Sequence, residues 1–260
     1  MSRYSTKVLV ATHKEYLFPK DSMYAPIQVG VARNKGDFGY LKDSSGDNIS
    51  IKNDTFCELT ALYWVWKNNY LDDIDYIGLV HYRRYFRGKL NFKDRDILDP
   101  NEIDVILSSS DIVLPKRRNY YIESVYSHYK HAHFGSDLDR LREIIDDLSP
   151  DYLNSFDLVM SQRSLHLYNM FIMSKERFVE YCEWLFPILF VLEEKIDISH
   201  RDSYQRRVFG FLGERLLNVW VKHHNLSISE VEVVNLEGEN LLKKGLDMVV
   251  RMISGRRRDS

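Results

Sequence analysis

Two short apolar runs decide most of what this chain can fold into: Val8-Leu9-Val10-Ala11 and Ile77-Gly78-Leu79-Val80. No polar residue interrupts either run, so a strand built from it has no face that suits water, and each is too short for a buried helix. Such strands belong in the middle of a covered, largely parallel sheet. Three further pieces extend the pattern: Ala25 to Gly30, Asp111 to Pro115 with its terminal proline, and Asn169 to Met173.

Helical periods lie between these runs. From Phe56 to Tyr70 the residues Leu59, Leu62, Tyr63, Trp66 and Tyr70 form one stripe, and Leu138 to Leu148, Lys175 to Glu194 and Tyr204 to His223 read the same way. Strands alternating with helices predict an α/β fold with a mostly parallel central sheet flanked by helices. A chain of 260 residues suits one main domain, taken as 1–235, with an appendage at 236–260.

In open sheets of this class ligands collect outside the carboxyl ends of the strands. Thr12-His13-Lys14 follows the first run and His81-Tyr82-Arg83-Arg84 follows the second, so both segments are expected at one sheet edge. Arginine keeps its charge at physiological pH, and its planar fork donates paired hydrogen bonds to phosphate oxygens. Arg83 and Arg84 therefore read either as a diphosphate clamp or as partners of surface carboxylates, with Tyr82, Tyr85 and Phe86 as packing.

Residues 33 to 55 form a long polar stretch containing Gly46-Asp47-Asn48-Ile49-Ser50, and loops of that length are often functional. Asp47 and Asn48 can accept hydrogen bonds from a base or ribose, and Lys67 can add a point charge. For Asn53 the competing expectation is that it, or else Asp54, is the N-cap of the helix that follows. Trp64 falls off the apolar stripe and needs a partner of its own.

Glu214, in Phe209-Gly210-Phe211-Leu212-Gly213-Glu214-Arg215, is a general-base candidate near a helix start or else half of a surface pair with Arg215. His128, His131 and His133 invite a zinc reading, but their spacing matches no known ligand pattern, so a hydrogen-bonding or acceptor-binding imidazole is preferred. Phosphate-loop, dinucleotide and nucleophile-elbow motifs are absent, and no Asp-x-Asp follows the run Ile77 to Val80, which removes the usual support for those chemistries.

Lys plus Arg is 36 against 38 Asp plus Glu, a net charge of −2 that gives no reason to expect nucleic acid as a partner. Cys57 and Cys182 lie far apart within apolar patterns, as in a reducing cytoplasm. The run Val8 to Ala11 is too short for a signal-peptide core or a membrane span. The last twenty residues carry six basic side chains against two acidic ones. On a helical wheel Lys243, Lys244, Asp247 and Arg251 share one narrow face, while Leu242, Leu246, Val249, Val250 and Ile253 occupy the other. Residues 241–258 are therefore expected either to lie on an anionic membrane surface or to dock as a capping helix with a basic end.

Taken together, ATHK, GDNIS, CELTALYWVWKN, YIGLVHYRRYF, LYNMFIM, YCEWLFPILF and RRVFGFLGERLLNVW resemble a bacterial family, the domain of unknown function 4422. The family occurs in capsule, exopolysaccharide and O-antigen gene clusters and includes galactofuranosyltransferases. The resemblance runs from about Lys7 to His223 and leaves out the basic tail. It implies a GT-A-like, Rossmann-like glycosyltransferase that uses a UDP-sugar and a lipid-linked glycan acceptor at the inner face of the cytoplasmic membrane.

In most enzymes of that fold an Asp-x-Asp motif and its metal stand where this chain has His81-Tyr82-Arg83. The mechanism is therefore expected to be metal-free, without a further cofactor, with Arg83, Arg84 and Lys67 facing the diphosphate, and transfer from UDP-α-galactofuranose to a β-linked product would invert the anomeric carbon. Also by resemblance, Ala11, Thr12, His13, Gly30, Asp47, Asn48, Asn53, His81 and Tyr82 surround the nucleotide. Glu214, His133 and His81 are the candidates for the base, and His131, Asn169 and Arg215 are assigned to the acceptor. A non-catalytic glycan- or polyanion-binding module is the alternative.

Overall fold

The computed structural model describes residues 3–34 and 36–237. The chain opens with β1 (Thr6–Thr12), β2 (Tyr24–Gln28), the short β3 (Leu41–Lys42), α1 (Asn53–Phe56) and α2 (Leu59–Lys67). β4 (Tyr76–His81), β5 (Arg84–Phe92), β6 (Arg95–Ile97), α3 (Pro100–Leu107), β7 (Ile112–Pro115) and β8 (Arg118–Asn119) follow. Next come α4 (Val125–Ala132), α5 (Gly135–Leu148), α6 (Leu153–Ser161), β9 (Ser164–Leu165) and β10 (Phe171–Ser174). The described part ends with α7 (Lys175–Lys195), α8 (Val208–His223), β11 (Ile228–Val231) and β12 (Val233–Asn235).

The main sheet runs β11-β7-β10-β4-β1-β2-β3. β1, β2, β3 and β4 are parallel, as are β7 and β11, while β10 enters antiparallel between β4 and β7. The expected mostly parallel α/β sheet flanked by helices is thus the observed architecture, with one reversed strand inside it. β4 and β10 approach so closely that a Cβ on Gly78 would lie 2.8 Å from the Phe171 carbonyl oxygen.

Alternation along β1 divides the core. Leu9 and Ala11 join Leu79, Phe171, Trp220 and the faces of α2, α5, α7 and α8, whereas Val8 and Val10 join Val80, Tyr85, Phe86 and Ile103. Each fully buried large side chain contributes roughly 1.5–3 kcal/mol. Helix α2 is shorter than its apolar stripe suggests, because Tyr70 lies in a separate turn. It is also buried beyond that stripe at Thr60, Ala61, Trp64 and Val65. Trp64 finds its partner in Ser45, donating from Nε1 to both the carbonyl and the hydroxyl oxygen.

Several elements were not expected from the sequence. β5, which reverses directly from β4, is the most consequential, since His81 pairs with Arg84 and leaves Tyr82-Arg83 as the turn. No helix among the described residues is long and apolar enough to cross a membrane. The basic tail 241–258, and most of the proposed appendage 236–260, lie outside the described residues.

Candidate functional site

β1 and β4 end level with one another. Ala11 registers with His81, and the Tyr82 N–H donates to the Ala11 carbonyl at 3.1 Å. Thr12-His13 and His81-Tyr82-Arg83-Arg84 therefore share the carboxyl edge of the sheet, and they form one wall of an open cavity of about 660 Å³. The opposite wall comes from Asn53, Asp54, Cys57 and Glu58, and from Tyr204, Arg206, Arg207, Phe211 and Glu214 around the start of α8. Tyr168 closes the base between them.

The base is braced by two consecutive left-handed residues ahead of β10, Tyr168 at φ 76° and Asn169 at φ 52°. Asparagine tolerates this region, whereas for tyrosine it stores strain of order 1–3 kcal/mol. The bend aims three polar groups. The Tyr168 N–H donates to Glu214 Oε1 at 3.0 Å, and the Tyr168 carbonyl accepts from His81 Nε2 at 2.7 Å. Asn169 Nδ2 donates to Glu58 Oε1 at 2.7 Å and to the Gly210 carbonyl at 3.1 Å.

Glycines on α8 admit the facing turn. A Cβ on Gly210 would meet Cys57 Sγ at 2.9 Å, and one on Gly213 would meet Leu59 Cδ1 at 2.9 Å. Cys57 turns there with φ 54°. The close approach carries Glu58, at the N-cap of α2, into the same cavity as Glu214.

The two carboxylates differ in how they are tied. Both oxygens of Glu214 are engaged, Oε1 by Tyr168 and Oε2 by Arg215 Nη1 at 3.1 Å, and burial pushes its carboxyl above the usual range. Glu58 is engaged at Oε1, and Oε2 makes no hydrogen bond among the described residues. Burial lowers His81 despite the opposing pull of Glu58, and its Nε2 donates to the Tyr168 carbonyl. His13 is lowered by partial burial and then by the charges of Lys14, Arg83 and Arg207, which marks this side as electropositive.

Arg83 reaches Glu237 at 3.4 Å, and Lys14 reaches the same carboxylate at 3.3 Å. The Arg84 guanidinium lies 4.7 Å from the Tyr168 ring centre, and its buried Nε has no hydrogen-bond partner. Arg207 donates from Nε to Cys57 Sγ at 3.1 Å, while burial foremost pushes the Cys57 thiol up to about 12. The segment carrying Tyr204 to Arg207 is anchored by a buried two-point ion pair, Arg201 with Asp137 at 2.7 Å for both bonds.

Of the residues singled out from the sequence, Ala11, Thr12, His13, Asn53, His81, Tyr82, Arg83, Arg84 and Glu214 are brought to this cavity. Gly30 stands directly behind Asn53, whose Oδ1 would be 2.7 Å from a Cβ at Gly30. Asn53 is not an N-cap. It is the first residue of α1, whose N-cap is Lys52, and its Nδ2 donates forward to the Cys57 carbonyl and to Thr60 Oγ1. Glu214 is neither in a first turn nor on the surface, but two turns into α8 and largely buried.

Others are held elsewhere. Asp47 accepts from Tyr63, Asn48 closes its own turn on Ser44 and Gly46, and Lys67 sits over the Trp66 ring at 3.5 Å. His131 is exposed and pairs with Glu123, and Arg215 is buried against Tyr129. His133 is one layer behind the wall, stacked on Phe211 at 4.3 Å and donating to Gln205. Asn169 is buried and acts on the cavity through Glu58.

The histidine cluster disperses, since His128 stacks on Tyr120 while His131 and His133 point to different partners. No three His, Cys, Asp or Glu side chains among the described residues converge as a metal site needs. The hairpin after β4 carries two guanidiniums, Arg83 and Arg84, and no carboxylate.

Glu58, Tyr168, Arg206 and Arg207 are among the cavity residues that sequence reasoning missed. Only Arg206-Arg207 carried a signal, as adjacent cations before an apolar helix. Glu58 looked like an ordinary helix-start carboxylate.

The family model described as Domain of unknown function (DUF4422) matches residues 7–225. A solved structure, the WbbM bifunctional glycosyltransferase in its apo form, superposes with a TM-score of 0.81 at 30% identity. It covers 90% of this chain and 46% of its own, so the chain spans about half the length of that protein. Among curated proteins none matches.

Proposed function

The chain belongs to the DUF4422 family, and from that premise we propose that it is a glycosyltransferase. In this reading it moves a sugar, galactofuranose as first choice, from a UDP-sugar to a lipid-linked glycan acceptor. The observation that carries the reading is the pairing of cationic and acidic groups across one cavity. Arg83 and Arg84, at the hairpin between β4 and β5, line it together with Glu58 at the start of α2 and Glu214 on α8. The likeness to a bifunctional glycosyltransferase supports the same activity class.

The chemistry follows from charge. As the bond from the sugar's anomeric carbon to the diphosphate breaks, negative charge grows on the departing UDP, and Arg83 and Arg84 stabilise it without a metal. The acceptor hydroxyl attacks the opposite face of that carbon, inverting it, and its proton passes to a carboxylate. Glu58 suits that step better than Glu214, because one of its oxygens is uncommitted while both oxygens of Glu214 are occupied. Glu214 then holds Tyr168 and Arg215 in place.

A thermal-shift screen of UDP-sugars tests the reading, since a ligand that binds only the native state raises the melting temperature. UDP and one UDP-sugar should both raise it. A panel in which none does contradicts the proposal.

A further inference from the structure

The segment Lys116-Arg117-Arg118-Asn119-Tyr120-Tyr121-Ile122-Glu123 plays no part in the cavity. Its root is fixed: β8 pairs with β9, and the Tyr120 N–H donates to the Arg163 carbonyl at 2.7 Å. Beyond it the chain folds into a tight tip. Asn119 Oδ1 accepts from the Tyr121 N–H at 2.7 Å, Ile122 N–H donates to the Tyr120 carbonyl at 2.8 Å, and Tyr121 is left-handed at φ 59°. Tyr120 turns inward, its ring stacked 4.0 Å from that of His128.

Tyr121 and Ile122 point the other way. They are 75% and 78% exposed, the highest values among the large exposed apolar side chains of the described residues. A strained, hydrogen-bonded turn that holds a tyrosine and an isoleucine side by side in water gains nothing for the isolated domain. The arrangement calls for an apolar surface outside the molecule.

The charges at the root indicate which surface. Lys116, Arg117, Arg118 and Arg163 are all exposed. Glu230 takes Arg117 at 3.3 Å, and Glu232 lies 3.9 Å from Lys116 while holding Arg87 at 2.9 Å. Glu123 is occupied by His131. Arg118 and Arg163 form no ion pair among the described residues, so two uncompensated guanidiniums stand at the base of an apolar tip.

We infer that this tip docks the protein on an anionic lipid bilayer. Tyr121 and Ile122 enter the boundary between headgroups and acyl chains, and Arg118 and Arg163 contact lipid phosphates. A glycan fits less well, because isoleucine offers a sugar neither a flat π face nor a hydrogen bond. The strand β9 ends three residues before Tyr168, so docking would hold the cavity base at a fixed distance from the membrane surface. This inference stands apart from the reaction proposed for the cavity.

The test uses the full chain carrying Ile122→Cys and an environment-sensitive thiol dye. Cys182 is buried and the Cys57 thiol is pushed up to about 12, so wild type taken through the same labelling supplies the background. On vesicles containing phosphatidylglycerol the dye should shift to the blue, weakly or not at all on phosphatidylcholine, and less as salt rises. The unlabelled double variant Tyr121→Ser/Ile122→Ser should partition onto the same vesicles about tenfold more weakly than wild type. Its melting temperature should be unchanged, since both side chains are exposed. Three results each overturn the inference: unshifted emission on saturating phosphatidylglycerol vesicles, wild-type partitioning of the double variant, or a dye that responds to polysaccharide but not to lipid.

Discussion

Asn169 donates its side-chain amide to Glu58 at 2.7 Å across 111 positions of sequence, and it does so from a left-handed backbone at φ 52°. One residue thus joins the start of α2, the approach to β10 and, through the Gly210 carbonyl, α8.

Replacing it separates two contributions. Asn169→Ala loses the bonds to Glu58 and Gly210 and puts a Cβ residue without asparagine's tolerance at positive φ, costing roughly 2–4 kcal/mol in urea denaturation. Asn169→Gly removes the strain but not the loss of bonds. It should recover part of the stability while sugar transfer stays as low as in the alanine variant.

The glycines of α8 carry the next expectation. Alanine is the better helix former by roughly 1 kcal/mol, yet at Gly213 its methyl would sit 2.9 Å from Leu59 Cδ1 and 3.2 Å from Asn169 Oδ1. Gly213→Ala should therefore lower stability by about 1–3 kcal/mol despite its propensity, as read from the denaturation midpoint. At an exposed helical site the same exchange would stabilise.

Much of the frame was legible in the sequence, because uninterrupted runs such as Val8–Ala11 and Ile77–Val80 leave few alternatives to a covered parallel strand. The cavity's cationic edge was legible for the same reason, since strand ends locate it. The reversal after His81 was not, because Tyr82-Arg83 contains none of the Gly or Asn that normally announce a two-residue hairpin. Glu58 was hidden for another reason. Its role depends on the left-handed Asn169 and on close approach to Gly210 and Gly213, which are tertiary facts. The N-terminus of α3 was readable and passed over, for Asp99-Pro100-Asn101-Glu102 is a complete capping box.

Stability should depend on pH through buried imidazoles. His128 is lowered to about 4, by burial first and then by Arg215. A folded-state value below the unfolded one means that the unfolded chain binds more protons between about 4 and 6.5. Stability therefore falls as pH drops through that window, with a slope of at most about 1.4 kcal/mol per pH unit for one site. His128→Phe keeps a ring beside Tyr120 and removes the titration, so its melting temperature should fall less between pH 7 and pH 5 than that of wild type.

The two carboxylates should separate kinetically. Glu58→Gln should lower the transfer rate by about a hundredfold or more while UDP still binds, the pattern of a lost proton acceptor. Glu214→Gln keeps the shape that receives the Tyr168 N–H and should cost less. Equal rates for wild type and Glu58→Gln would return the role of base to Glu214 or His81.

The central claim is that Arg83 and Arg84, at the hairpin that follows β4, hold a nucleotide diphosphate without a metal, and isothermal titration of UDP measures it most directly. Wild type should bind with the same affinity in EDTA as without it, and Arg84→Gln should bind at least about tenfold more weakly. Absence of UDP binding to wild type, or equal affinity in the variant, would contradict the account, and binding abolished by EDTA would contradict its metal-free mechanism.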